Sequence, residues 1–293
     1  MARIGFIGLG LMGSAMAQRL LDRGHELAVL GNRDRRGVEA ATERGAREAA
    51  NARDAAQGAE IVMLCMGTSD QVEARMRGAD GVIAGLEDGA VVVDFGTSLP
   101  ASTKALAEEV AAKGGAYLDA PLGRTPSHGR EGKLNIMGAG DRAAFDRVRP
   151  VLDDLGENVF HLGPSGAGHT IKLVNNFFAM TTANAMSEAF AMADRAGIAR
   201  QDLYDVMSAG PLHSGMMDFV KAYAVDGDAE KLAFTIRNAA KDVGYYRQMA
   251  EALGAATIMS ACADRALGEA VEAGRGGDLV PTMVEFYADR FGG

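Results

Sequence analysis

Residues 3–20 read RIGFIGLGLMGSAMAQRL, and this stretch decides the fold. A short apolar run of β character leads into Gly8, Gly10 and Gly13, spaced G-x-G-x-x-G, and apolar positions at helical intervals follow. The bare spacing is weak in a chain with 38 glycines among 293 residues. A strand before it and a helix after it make it specific. Gly8 permits a tight turn, Gly10 lets a pyrophosphate approach the backbone, and Gly13 lets the helix pack closely on the sheet. The helix N-terminus offers unpaired N–H groups to a phosphate. The stretch reads as a dinucleotide-binding turn lined by Gly8, Leu9, Gly10, Leu11, Met12 and Gly13.

Outward from it, ELAVL (26–30), AEIVMLCM (59–66), AVVVDFGTS (90–98), GGAYLDAPL (114–122) and KLNIMGAG (133–140) are further strand-like runs separated by helical stretches. Continuous apolar strands alternating with helices predict a mostly parallel sheet covered on both faces, reaching to about residue 160. After Gly168 the pattern changes. Residues 170–197 form one helical segment of about 28 residues, and residues 201–210, 232–254 and 257–274 are also helical in pattern. The expected architecture is an α/β Rossmann-type domain over 1–164 and an all-α domain over 165–293, joined by a long interdomain helix. The alanines and methionines of the second half read as core filler.

The formal charge of −9 argues against duplex DNA or an anionic membrane as the main partner, while leaving room for a local basic pocket. Two cysteines, Cys65 and Cys262, make no disulfide framework, and Cys65 lies in an apolar run as a buried inert thiol. No apolar run approaches the length of a membrane span, and no signal-peptide pattern precedes the first strand, so a cytoplasmic protein is expected. The histidines show no metal-ligand spacing, and no metal is expected.

Which dinucleotide binds is read from the end of ELAVL. An NAD site usually places an acid there for the ribose diol. Here Gly31, Asn32 and Arg33 follow, with Asp34, Arg35 and Arg36 behind them. The arginines suit a 2′-phosphate, whereas Asp34 could serve as the acid one position late. The reading leans slightly to NADP and keeps NAD open.

A second constellation is GPSGAGHTIKLVNNFF (163–178). Lys172 and Asn176 are four apart and share a helical face within an apolar run, where neither is needed for packing. A lysine there could give a proton to a carbonyl oxygen as hydride arrives, or take one from an alcohol. Asn176 could hold the same oxygen or orient the lysine, and Asn175 points about 100° away.

These blocks, with VVVDFGTSLP (91–100), DAPLGRTP (119–126) and AAKDVGYY (239–246), resemble the β-hydroxyacid dehydrogenase family, which includes 3-hydroxyisobutyrate dehydrogenase and tartronate semialdehyde reductase. The resemblance covers nearly the whole chain. It implies Lys172 as general acid/base, Asn176 as its partner in positioning substrate, and Asn175 nearby. It implies Thr97 near nicotinamide and carboxylate, and Met66, Phe234 and Lys241 at the cofactor, with Asp242 the usual neighbour of that lysine. It also implies a homodimer or homotetramer acting on a small anionic substrate.

The commonest family motif DAPVSGG appears here as DAPLGRT, so Gly123 replaces the serine and Arg124 and Thr125 replace two glycines. The guanidinium suits a carboxylate, sulfonate or phosphate. The Gly-Arg-Thr variant resembles that of sulfolactaldehyde reductases, and also relatives acting on succinic semialdehyde and 4-hydroxybutyrate. His128 and His169 are further polar groups near either end of the site, or plain loop histidines. The expected activity is reversible hydride transfer to a small anionic aldehyde, with a 3-hydroxyisobutyrate or tartronate semialdehyde-type dehydrogenase as the alternative. Imine reductases share the architecture but commonly lack a lysine at the Lys172 position. A non-catalytic dinucleotide-binding module is the reading from another class, and Lys172, Asn176 and Lys241 argue against it.

Overall fold

The computed structural model describes residues 1–292. The chain divides into two compact units, Met1–Lys172 and Leu173–Gly293. The division falls inside a helix, at 172/173, against the 164/165 expected from the change of pattern.

In the first unit the order is β1 (Arg3–Ile7), α1 (Leu11–Asp22), β2 (Glu26–Leu30), α2 (Arg36–Thr42), β3 (Arg47–Glu48), α3 (Ala52–Ala56), β4 (Ile61–Leu64), α4 (Ser69–Met76), α5 (Val82–Gly85), β5 (Val91–Asp94), α6 (Pro100–Ala111) and β6 (Ala116–Asp119). The six strands form one parallel sheet in the order β3-β2-β1-β4-β5-β6. The order reverses between β1 and β4, where a ligand crevice opens at the carboxyl ends of the strands in sheets of this kind. Alternation explains the unbroken apolar runs. Ile61 and Met63 of β4 and Val91 and Val93 of β5 enter one core, and Val62, Leu64 and Val92 enter a second. Both faces are buried, so no position is released to polar residues.

The unit continues with β7 (Leu122–Gly123), α7 (Pro126–Glu131), β8 (Leu134–Gly138), α8 (Arg142–Leu155) and β9 (Gly156–His161), and then α9 (Ala167–Arg195). The run GGAYLDAPL, read as one strand, is two. β6 ends the large sheet, and β7 pairs antiparallel with β8 in a separate sheet of order β7-β8-β9. Pro121 separates them; it has no N–H to continue the ladder and contributes only its carbonyl, which accepts from Met137 N at 3.0 Å.

In the second unit the rest of α9 is followed by α10 (Arg200–Ser208), α11 (Gly215–Ala224), α12 (Ile236–Ala252), α13 (Met259–Glu272) and α14 (Met283–Arg290). Its core joins Met180, Met186 and Phe190 of α9 to Met217, Val220, Ile236, Val243, Leu267 and Met283. The methionines are the packing residues expected. No helix among the described residues is long and apolar enough to cross a membrane.

The glycine turn shows why position matters more than number. A Cβ on Gly13 would stand 1.9 Å from Gly8 O, and a Cβ on Gly10 would meet nothing within 4 Å. Gly13→Ala is therefore expected to lose about 3 kcal/mol or more in chemical unfolding, because the obstruction is backbone. Gly10→Ala should unfold like the parent while its dinucleotide affinity, read by fluorescence titration, falls at least tenfold. Equal stability of the two variants would refute this division of roles.

Candidate active site

At the glycine turn, α1 begins with Gly10 as N-cap, with no side-chain cap and no acid in its first turn. Its positive end therefore suits an anion, and the open space beside Gly10 gives one access to the backbone. Gly8 has φ +98°, and a Cβ there would lie 2.4 Å from Cys65 O and 2.9 Å from Met66 Sδ, so Met66 borders the turn. Leu9 is buried and its carbonyl accepts from Ser14 Oγ at 2.9 Å. Met12 packs on the core, whereas Leu11 is 84% exposed. Cys65 is half-buried, and burial pushes its thiol up to about 12, so it stays protonated and inert.

After β2, Asn32 and Arg33 are exposed. The neighbouring charges sort into pairs. Arg35 forks onto Glu48 at 2.7 and 2.8 Å. Arg36 holds Asp34, with Nη2 at 2.6 Å, and that hydrogen bond lowers the Asp34 carboxyl to about 2. Arg33 makes no such pair among the described residues.

At the ends of β5 and β6, Asp94 and Asp119 are wholly buried and face each other in register. Asp94 Oδ1 accepts from Gly96 N at 2.8 Å, and its Oδ2 accepts from Ser98 Oγ and Tyr117 Oη, both at 3.1 Å. These bonds fix the loop that carries half-buried Thr97. Burial, with the Asp94 charge second, drives the Tyr117 hydroxyl well above its ordinary range, so it remains a donor. Asp119 accepts from Gly166 N and His169 N, each at 2.8 Å, at the head of α9. His169 is fully buried, with Nδ1 2.7 Å from Thr103 Oγ1 and Nε2 3.8 Å from Asp94 Oδ2. It is an internal anchor and meets no solvent. Lys172 lies one turn further along α9 and is half-buried.

Gly123 pairs with Asn135 across β7 and β8, and a Cβ there would lie 3.2 Å from Asn135 Cβ. Arg124 has φ +76°, the one positive value on a non-glycine among the described residues. Its Nη1 donates to Lys133 O at 2.7 Å and to Glu157 Oε2 at 2.5 Å. Thr125 Oγ1 is 2.8 Å from Ser127 Oγ and 2.7 Å from His128 Nδ1, so His128 is tied into its own loop.

In the second unit, Asn176 Nδ2 donates to Asp242 Oδ2 at 2.6 Å, and Asn175 Nδ2 donates to Asn176 Oδ1 at 3.2 Å. Lys241 Nζ stands 2.9 Å from Asp242 Oδ1, at ion-pair distance though without hydrogen-bond alignment, and 5.2 Å from the Tyr245 ring centre. Asp242, 2% exposed, thus joins Asn176 to Lys241 and fixes which way the Asn176 amide faces. Phe177 and Tyr246 stack at 4.3 Å beside this chain of contacts in sequence. Phe234 lies outside the Asn175–Asn176–Asp242–Lys241 chain; it is half-buried and packs against the helical core.

The expected residues therefore gather in connected groups: the glycine turn with Met66, and Asn175 with Asn176 and Lys241. The sequence reading gave no role to Asp94 or Asp119, and none to Asp242 beyond adjacency. The available signal was an acid closing an apolar strand, in VVVD and in AYLD. A carboxylate in such a place must be satisfied internally.

Comparison with known proteins places the chain in a family. Residues 3–163 match the model for the NAD binding domain of 6-phosphogluconate dehydrogenase, and residues 166–287 match that for the NAD-binding domain of NADP-dependent 3-hydroxyisobutyrate dehydrogenase. The chain is 32% identical to a 3-sulfolactaldehyde reductase of Escherichia coli, over 94% of this chain and 92% of the other. It is also 32% identical to a 3-hydroxyisobutyrate dehydrogenase of Pseudomonas aeruginosa, over 90% of each. A crystal structure of a 3-hydroxyisobutyrate dehydrogenase from Salmonella typhimurium superposes with a TM-score of 0.84 at 27% identity, over 98% of this chain and 100% of that one. With the two family models together spanning residues 3–287 and relatives at 32% identity over most of their length, the chain belongs to the β-hydroxyacid dehydrogenase family and is an NAD(P)-dependent oxidoreductase of the CH–OH group.

Proposed function

We propose that the protein reduces a small anionic semialdehyde, reversibly, with NADP as the preferred cofactor and a sulfonate- or carboxylate-bearing aldehyde such as 3-sulfolactaldehyde or succinic semialdehyde as substrate. The observation that carries the substrate class is Arg124. A side chain held in the left-handed region costs roughly 1–2 kcal/mol that glycine avoids, and an outlier of this kind is a reason to look for function. Both observed contacts of Arg124 run through Nη1. The Nε and Nη2 edge of its fork suits a second anion. Similarity to a 3-sulfolactaldehyde reductase over most of the chain supports the same class. A 3-hydroxyisobutyrate-type substrate is the second reading, favoured by equal identity to the Pseudomonas dehydrogenase.

When bound, the nicotinamide supplies or takes the hydride. Gly8, Leu9, Gly10, Leu11, Met12, Gly13 and Met66 would hold the dinucleotide, with Asn32 and Arg33 at the adenosine ribose and Thr97, Phe234 and Lys241 toward the nicotinamide. Lys172 gives a proton to the carbonyl oxygen in reduction and removes it from the alcohol in oxidation. Asn176 and Asn175 orient that oxygen, and Thr97, Gly123, Arg124 and Thr125 hold the distal anion. The lean to NADP rests on charge pairing, since Asp34 is taken up by Arg36 while Arg33 makes no such pair among the described residues. An assembly of two or four copies is supported by Val174, Phe178 and Met192, which stand exposed along one side of α9.

Lys172→Ala should lower kcat by about 10²–10⁴ with dinucleotide affinity retained; turnover near that of the parent would remove the lysine from the chemistry. Arg33→Ala should weaken NADPH binding by about ten- to a hundredfold, the usual worth of a charged hydrogen bond, and leave NADH unchanged. Equal loss for both cofactors would assign Arg33 elsewhere. Arg124→Ala should raise KM for the preferred semialdehyde at least tenfold in a panel of 3-sulfolactaldehyde, succinic, tartronate and methylmalonate semialdehydes. An unchanged anion preference would take Arg124 out of the pocket.

A further inference from the structure

We propose that Asp119, which touches neither substrate nor cofactor, is a positioning residue that holds the first turn of α9 and through it Lys172; the proposal rests on Lys172 as the proton-transfer group. An α-helix leaves its first N–H groups without partners, and a chain usually satisfies two of them locally, through the N-cap side chain and an acid or amide three residues on. The start of α9 has neither device. Gly166, at the N-cap, has no side chain and adopts φ +91°. The third helical position is His169, whose ring is engaged by Thr103. One carboxylate from β6, 47 and 50 residues away in sequence, makes both missing bonds, Oδ1 to Gly166 N and Oδ2 to His169 N at 2.8 Å each.

The seat is shaped for this contact. A Cβ on Gly168 would lie 2.3 Å from Met137 O and 2.9 Å from Asp119 Oδ2, so only glycine lets the turn reach the carboxylate. His169 adds a second pin, to α6 through the 2.7 Å contact of Nδ1 with Thr103 Oγ1. The same carboxylate fills the anion-attracting end of α9, whereas α1 has no acid in its first turn. The two helix starts are thereby divided between an internal anion and an external one. In an α-helix the Lys172 N–H bonds the Gly168 carbonyl, so Lys172 stands on the turn that Asp119 fixes. A displacement of about 1 Å at a reacting group can cost on the order of a hundredfold in rate.

The test compares Asp119→Asn, Lys172→Ala and the double variant, in the full chain, with activity expressed per dinucleotide-binding site counted by fluorescence titration. Asparagine keeps the shape but turns an NH₂ toward one of the two N–H groups. Hydrogen–deuterium exchange over residues 166–172 should quicken at least tenfold in D119N, and kcat per site should fall at least tenfold with KM within threefold of the parent. In the K172A background D119N should change turnover less than twofold, because there is no lysine left to misplace. A general loss of folding would lower the number of sites and leave kcat per site intact, which overturns the proposal. An equal fold-loss in both backgrounds overturns it as well. Should D119N not fold, Thr103→Val removes the hydroxyl shared by His169 and the Leu99 carbonyl and should lower kcat per site at least threefold with the same non-additivity. Parent-like turnover of K172A sinks the role of Lys172 and this proposal together; a crippled K172A beside a parent-like D119N sinks this proposal alone.

Discussion

Two carboxylates buried side by side at the ends of β5 and β6 are the constraint on which the rest of the first unit depends. Asp94 and Asp119 sit in register on neighbouring strands, out of contact with water. Each must find donors inside the protein or destabilise it. They find them in different places. Asp94 takes the backbone of the loop directly after it, and Asp119 takes the head of a helix that begins nearly fifty residues later. The polar requirement of a strand end thus becomes the means of placing two segments, the Thr97 loop and the start of α9. Gly96 and Gly168 follow as consequences, since a backbone that must approach a carboxylate closely has no room for side chains, while Gly166 answers to its φ of +91°.

The second unit repeats the logic with one acid. Asp242 is buried, and its two oxygens join an amide on α9 to an ammonium on α12. A buried carboxylate held between an amide and an ammonium rigidifies its partners, because any rearrangement separates the charge from them. Asn176 gains a defined orientation, with Nδ2 committed and Oδ1 turned to Asn175.

Much of this was legible in the sequence, for identifiable reasons. The unbroken valine and isoleucine runs announce a sheet buried on both faces, and the glycine turn announces its ligand, because both depend on local spacing. Lys172 and Asn176 stand out as polar groups in an apolar helix. What escaped depends on partners far apart in the chain. The exposed cations after β2 look alike in sequence, and only the fold brings Glu48 to Arg35 while giving Arg33 no such pair among the described residues. The split at Pro121 is a choice between two sheets, which no single run of residues specifies. The family motif drew attention to Gly123 and Arg124, whereas Asp119, four residues earlier in the same block, carries the longer-range bonds.

Arg124 shows what such an arrangement implies for the history of the chain. Its backbone stands where glycine would be more comfortable, and its side chain is moored to Glu157 and to the Lys133 carbonyl. A drift back to glycine would relieve the backbone and forfeit the guanidinium together with its two moorings. Under the anion-holding role proposed for Arg124, stability and selectivity pull this position in opposite directions. On that proposal position 124 would record substrate choice, and where that choice is relaxed it is among the first places at which the record should fade.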